Sequence, residues 1–207
     1  MANAKGYASI AIGGASYSQA SFGLAIGNGA SAYGVGCQYV GKDGGCYGAK
    51  SVASGLYARS MGAGSLATGS YSTAVGDYST TTGWLSASVG DYSVAEGAIA
   101  YAQGFASTAI GTYTHAIGDF STAVGVYAQA AGLASMANGA YSVALGTLAT
   151  SEGGYSQARG NYSVANGAYS IAAGDFSTAM GPLAAATGLS SAAMGDTSSA
   201  SGDFSTA

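Results

Sequence analysis

Glycine returns at every seventh residue. Starting at Gly6, the series runs Gly6, Gly13, Ala20, Gly27, Gly34 and on to Gly202, and only Ala20 departs from it. The chain has 36 glycines in 207 residues, so chance does not place them this way. Self-similarity at a fixed period marks a repeat architecture, in which each repeat is too small to bury its own core and must stack on its neighbours. The period spans residues 1–207 without a linker, which predicts a single domain.

We letter the glycine column a and the following columns b to g. Gly174-Asp175-Phe176-Ser177-Thr178-Ala179-Met180 is a clean heptad. Column d holds only Ser, Ala, Thr, Gly or Cys. Column f is mostly alanine and is small throughout except for Tyr39. Bulk sits in columns c, e and g, and most of the aromatic residues stand in column c, for example Tyr71, Tyr92, Phe120 and Tyr141. Helix is excluded, because a glycine every seventh residue costs about 1 kcal/mol each and no apolar stripe recurs at i+3 and i+4. Collagen needs glycine every third residue. A short strand ended by a glycine turn fits, with d and f on one face and c, e and g on the other.

Charge decides which face points inward. Columns d and f contain no charged residue, whereas e and g carry Arg59, His115, Glu96, Glu152 and Arg159. A buried unpaired charge is costly, so d and f line a narrow interior of Ala and Ser. Glycine in column a suits corners where φ is positive or backbones approach closely. Two heptads make one coil. Asp77, Asp91, Asp119, Asp175 and Asp203, all in column b, are separated by multiples of 14, and only Asp196 falls in the other phase. Thr80, Thr108, Thr122, Thr150, Thr178 and Thr206 in column e share one 14-residue phase. The expected fold is all-β: a parallel β-roll or β-solenoid with 14-residue coils, each built from two seven-residue strands.

Such a coil turns its large side chains outward. Long exposed ladders of Tyr, Val, Ile, Leu and Met exceed what a soluble monomer ordinarily shows to water. One outer side is therefore expected to be buried between identical chains in closed symmetry. Nucleic acid is excluded as a partner, because five scattered cations against nine acids make no basic face. No run approaches a membrane helix, and no signal peptide precedes the repeats, so this segment is not expected to insert into a membrane.

The heptad pair Asn161-Tyr162-Ser163-Val164-Ala165-Asn166-Gly167-Ala168-Tyr169-Ser170-Ile171-Ala172-Ala173-Gly174 resembles the head repeats of trimeric autotransporter adhesins, the YadA-like head. The shared pattern is Ser-x-Ala-x-Gly-x-x-Ser/Ala-x-Ala-x-Gly, best kept from Gly48 onward. The resemblance implies a left-handed, homotrimeric roll at the outer end of a bacterial surface fibre, with residues 1–207 a fragment of it. A neck, stalk and outer-membrane anchor would belong to a longer parent protein. The stop at Ala207, inside a Gly-Asp-Phe-Ser-Thr-Ala motif that recurs in full at Gly118 and Gly174, is expected of such a fragment.

Few residues invite chemistry. Cys37 and Cys46 occupy inward columns and flank Gly41-Lys42-Asp43-Gly44-Gly45. They read either as a disulfide in an oxidising compartment or as two buried thiols. His115 is the only histidine, and no nucleophile–base arrangement is signalled. Asp77 and Asp91 would sit on neighbouring coils as solvated corner residues or at most a weak cation site. No catalytic, cofactor or metal residue is expected. Trp84 and Tyr101 are outward aromatic residues able to anchor a partner. The expected function is non-enzymatic adhesion to host matrix proteins, such as collagen, or to other surfaces through repeated weak contacts. A phage fibre segment shares this physics. An ice-binding solenoid is a weaker alternative, since Val94, Met136 and Val164 interrupt the threonine rank.

Overall fold

The computed structural model describes residues 1–207. It is all-β, and every heptad contributes one short strand. In alternate heptads the strand covers columns e, f and g, as in Leu66–Thr68; in the others it covers e and f, as in Thr73–Ala74. Pairing is parallel with a register of 14 residues throughout. Leu66, Ala67 and Thr68 face Thr80, Thr81 and Thr82, and Thr73 and Ala74 face Ala87 and Ser88. The 14-residue coil inferred from the aspartate and threonine phases is the repeating element.

Two compact units divide the chain, Met1–Ala102 and Gln103–Ala207. Within the first, strands from Asn3–Ala4 to Tyr101–Ala102 build one sheet and strands from Ile10–Ile12 to Val94–Glu96 build the other. The second repeats the plan, with His115–Ala116 to Ser199–Ala200 in one sheet and Thr108–Ile110 to Ala192–Met194 in the other. In each unit the columns d and f are buried and line the space between the two sheets.

The strand is shorter than the heptad because columns a to d form a turn. The N–H of Ser79 donates to the carbonyl of Gly76 at 3.3 Å, and its hydroxyl donates to the same carbonyl at 2.7 Å. The Ser51 and Gly48 pair does the same. Many column d serines thus serve twice over, being small enough for the bore and bonding locally within the turn, while the hydroxyls of Ser86, Ser107, Ser121, Ser135 and Ser177 make no such bond.

Alternate glycines of column a have positive φ, between 120° and 157°, as the sequence suggested, and column c is left-handed as well, which it did not suggest. Every column c residue has φ between 50° and 69°, whether Tyr, Phe, Leu, Ala or Gly. Column c is therefore the third residue of a β-turn rather than part of a strand, a position where glycine or asparagine is usual. Glycine in column a also answers the close backbone approach that the sequence suggested. A Cβ on Gly62 would lie 2.1 Å from the carbonyl oxygen of Gly76 on the next coil; at Gly69, φ is 120° and the clash with the Gly83 oxygen is 2.3 Å. Adjacent turns stack with backbone against backbone, and no side chain fits between them.

Inside the coil, alanine methyls are fully buried, for example Ala53, Ala67, Ala123 and Ala165. Each contributes only about 0.8 kcal/mol by burial, so the backbone ladders, at roughly 1 kcal/mol net per hydrogen bond, matter at least as much. Serines close the remaining gaps across the bore: Ser60 Oγ meets Ser65 Oγ at 2.6 Å, and Ser151 Oγ meets Ser156 Oγ at 2.6 Å. Tyr39 is the one large side chain inside. Its hydroxyl donates toward the carbonyl oxygens of Gly55 at 2.8 Å and Lys42 at 3.0 Å. The coil that holds it is the glycine-rich one, and a Cβ on Gly44 would lie 2.6 Å from the Tyr39 hydroxyl.

Outward ladders as a candidate adhesive surface

Because d and f fill the bore, every large side chain except Tyr39 lies outside or at a turn. The turn residues of column c stack coil upon coil. In the second unit Tyr113, Tyr127, Tyr141, Tyr155 and Tyr169 form one ladder with centroid separations of 4.8, 5.0, 4.7 and 4.9 Å, each pair within 13° of parallel. Tyr162 stacks on Phe176 at 5.0 Å. In the first unit Tyr57 stacks on Tyr71 at 5.0 Å, and Tyr78 on Tyr92 at 5.3 Å. All these rings are exposed. A left-handed non-glycine residue costs roughly 1–2 kcal/mol, and a stacked aromatic pair returns roughly 0.5–1.5 kcal/mol. The two are of similar size, so the ladder offsets the strain of the turn that carries it.

The two outer sheet faces differ. On the three-residue strands the outward residues are mainly aliphatic or threonine: Leu66, Thr80 and Val94 in the first unit, and Thr108, Thr122, Met136 and Val164 in the second, with Glu96 and Glu152 the charged exceptions. The two-residue strands and the residues just after them carry Lys5, Arg59, Gln129, Gln157, Arg159 and His115. Both faces carry aliphatic side chains, such as Val75, Ile117, Val143 and Leu145 on the second, and they differ in charge: the first bears only Glu96 and Glu152, the second only cations and His115.

The column b aspartates hold backbone. Asp77 Oδ1 accepts the N–H of Ala63 at 2.7 Å, and Asp91 Oδ1 accepts that of Asp77 at 2.8 Å. Asp119, Asp175 and Asp203 do the same for Phe105, Asn161 and Leu189. Sequence reasoning treated Asp77 and Asp91 as solvated corner residues and missed this role. The 14-residue spacing was the signal, since a side chain that serves the preceding coil must recur with the coil.

Cys37 and Cys46 lie in the bore with Cα atoms 5.9 Å apart and their sulfurs facing each other, a spacing that suits a disulfide. Trp84 is exposed in a turn beside Leu85, and Tyr101 is half-buried in the strand Tyr101–Ala102, so the two stand on different parts of the first unit. His115 is exposed on the strand His115–Ala116 of the second unit. Tyr39 was visible in the sequence as the exception in column f, but nothing there showed its bonds. No helix is long and apolar enough to cross a membrane.

The profile of the YadA head domain repeat matches residues 4–30, 53–79, 102–128, 126–149, 137–156, 158–184 and 186–207, well over half of the chain. No curated protein matches the sequence. Among solved structures, the chain is similar to the collagen-binding domain of the Yersinia adhesin YadA, with 21% identity over 99% of this chain and 68% of that one and a TM-score of 0.20. The family is one of surface-exposed adhesin domains, which points to display and attachment rather than catalysis. With its heptads, its 14-residue parallel coils and the repeat matched along its length, the chain belongs to the YadA head family.

Proposed function

We propose that residues 1–207 are the head of a bacterial surface adhesin that attaches to host matrix proteins, collagen among them, through many weak contacts along its outward ladders. The observation that carries this reading is the set of exposed aromatic ladders on a regular backbone. It presents the same ring on five successive coils, Tyr113 to Tyr169, and such repetition suits multivalent attachment. Trp84 and Tyr101 are further contact candidates in the first unit. A longer parent protein supplies the anchor that holds the head outside the cell.

The head acts as a homotrimer. The face of the three-residue strands is the side turned toward the sister chains, because Glu96 and Glu152 are the only charges it would desolvate. The face that carries Arg59, His115 and Arg159 and the tyrosine turns then remain outside for the ligand.

The test has two parts. Light scattering on the purified chain gives a trimer mass, and Val124→Glu with Thr108→Glu, in the strands Thr122–Val124 and Thr108–Ile110, lowers it. In a solid-phase assay the chain is retained on immobilised collagen, and Tyr127→Ser with Tyr141→Ser and Tyr155→Ser reduces retention at least tenfold with circular dichroism unchanged. A stable monomer removes the trimer, and no retention on any matrix protein or abiotic surface removes the adhesive reading.

A further inference from the structure

One depression in the first unit has a composition that the ladders alone do not explain. Arg59, in the strand Arg59–Ser60, pairs on one side with Gly45, which has no side chain, and on the other with Thr73. Tyr57, Arg59, Tyr71, Thr73 and Leu85 line a depression of about 260 Å³. The rings of Tyr57 and Tyr71 are stacked at 5.0 Å and 25°, and Leu85 is exposed.

The guanidinium has no partner. Lys42 pairs with Asp43 at 3.8 Å, and Arg59 has no such acid. Arg159 donates to Gln157, whereas the Arg59 side chain makes no hydrogen bond. The local charge also differs from the acidic average. Lys5, Lys42, Lys50 and Arg59 all precede Asp77, and Asp43 is the only acid among the first 76 residues. Asp77 itself lies on the other turn of the coil and is occupied by the Ala63 N–H.

We infer that this depression is a binding site for an anionic pyranose, a sugar ring carrying a carboxylate or a sulfate. The planar guanidinium fork matches either group with two parallel hydrogen bonds. The hydroxyls of Tyr57, Tyr71 and Thr73 both donate and accept, as ring hydroxyls require. Leu85 and the ring edges meet the apolar C–H side of the sugar. The volume is close to the lower end of small-molecule sites, roughly 300–1,000 Å³, so it admits one sugar residue. An open site of this kind binds weakly. Its value to attachment comes from several copies on one head, a clause that rests on the trimer proposed above; the site itself does not.

The test is a titration of the whole chain, followed by NMR or calorimetry, with methyl glucuronide and N-acetylneuraminic acid, with galactose 6-sulfate, and with neutral methyl galactoside. Acidic sugars bind with a dissociation constant on the order of 1 mM, weakened by added salt, and the carboxylate and sulfate arms show which anion is preferred. Arg59→Gln lowers the affinity at least tenfold, Arg59→Lys falls between the two, and Arg159→Gln leaves it unchanged. Equal binding of the neutral sugar, unchanged affinity in Arg59→Gln, or no binding in any anionic arm overturns the site. A chain that is retained on collagen yet binds none of these sugars loses this site and keeps the matrix reading. A chain that binds acidic sugars but no matrix protein does the reverse.

Discussion

Oδ1 of Asp91 accepts the backbone N–H of Asp77, the residue that stands in the same column one coil earlier, at 2.8 Å. The contact joins two turns at the edge of the coil. Without it the N–H would depend on water alone. It explains why aspartate recurs at multiples of 14 and why asparagine substitutes for it: Asn161 Oδ1 accepts the N–H of Thr147 at 3.0 Å.

Asp175→Ala is expected to destabilise the second unit by about 1 kcal/mol, the usual net value of one hydrogen bond. Asp175→Asn is expected to be nearly neutral, since the amide oxygen keeps the acceptor. Thermal or urea midpoints by far-UV circular dichroism compare the two. Midpoints are the proper measure, because stacked repeats need not unfold in one step.

Gly62→Ala sets a Cβ 2.1 Å from the Gly76 carbonyl oxygen, and only backbone can yield. It is expected to cost about 3 kcal/mol or more, at the upper end of overpacking penalties. Gly154→Ala is the control. The nearest atom to its Cβ is the Ala140 oxygen at 3.9 Å, so its midpoint stays within about 0.5 kcal/mol of the parent or rises slightly.

Burial pushes the Tyr39 phenol up to about 12. The unfolded phenol gives up its proton near pH 10, while the folded one keeps it. Between these values the folded state binds more protons, so the stability due to this group is fully present below about pH 10 and is lost as pH rises toward 12. A urea midpoint series across that range should fall, and Tyr39→Phe should flatten this part of the slope. At neutral pH the same substitution is expected to cost about 1–2 kcal/mol, because the Lys42 and Gly55 carbonyls lose their donor.

We propose that Cys37 and Cys46 are disulfide-bonded in the secreted protein. Alkylation before reduction then leaves both unmodified in an intact-mass measurement, and alkylation after reduction labels both. Cys37→Ser with Cys46→Ser keeps the fold, since serine is native to columns d and f, and lowers stability by about 2–3 kcal/mol for so short a loop. Two freely alkylated thiols in protein from an oxidising compartment would end the proposal.

Much of the fold was legible because strand geometry is periodic. Side chains alternate along a strand, so the small, uncharged columns d and f had to face inward, and Ala67, Ser79 and Ala123 are fully buried. Coil length was legible because contacts across the ladder recur at the coil repeat, which the aspartates and threonines record. The conformation of column c was not. Tyr141 at φ 58° and Leu148 at φ 55° carry none of the glycine or asparagine that usually marks such a turn, and the strand was accordingly read as longer than its two or three residues. The candidate sites were less legible still. Trp84 and Tyr101 stood out by type, while Arg59 was noted only as an outward charge.

What the sequence determined by itself is the heptad, the doubled coil, and which columns fill the bore, because each follows from side-chain size, charge and alternation along the chain. The tertiary structure alone decided that column c turns left-handed, that the aspartates serve the coil before them, and that Arg59 lines a depression beside the stacked rings of Tyr57 and Tyr71. The physical reason is that these depend on how a turn aims one coil at the next. That aim is fixed by backbone packing between residues 14 apart, which the order of residues within a single heptad does not express.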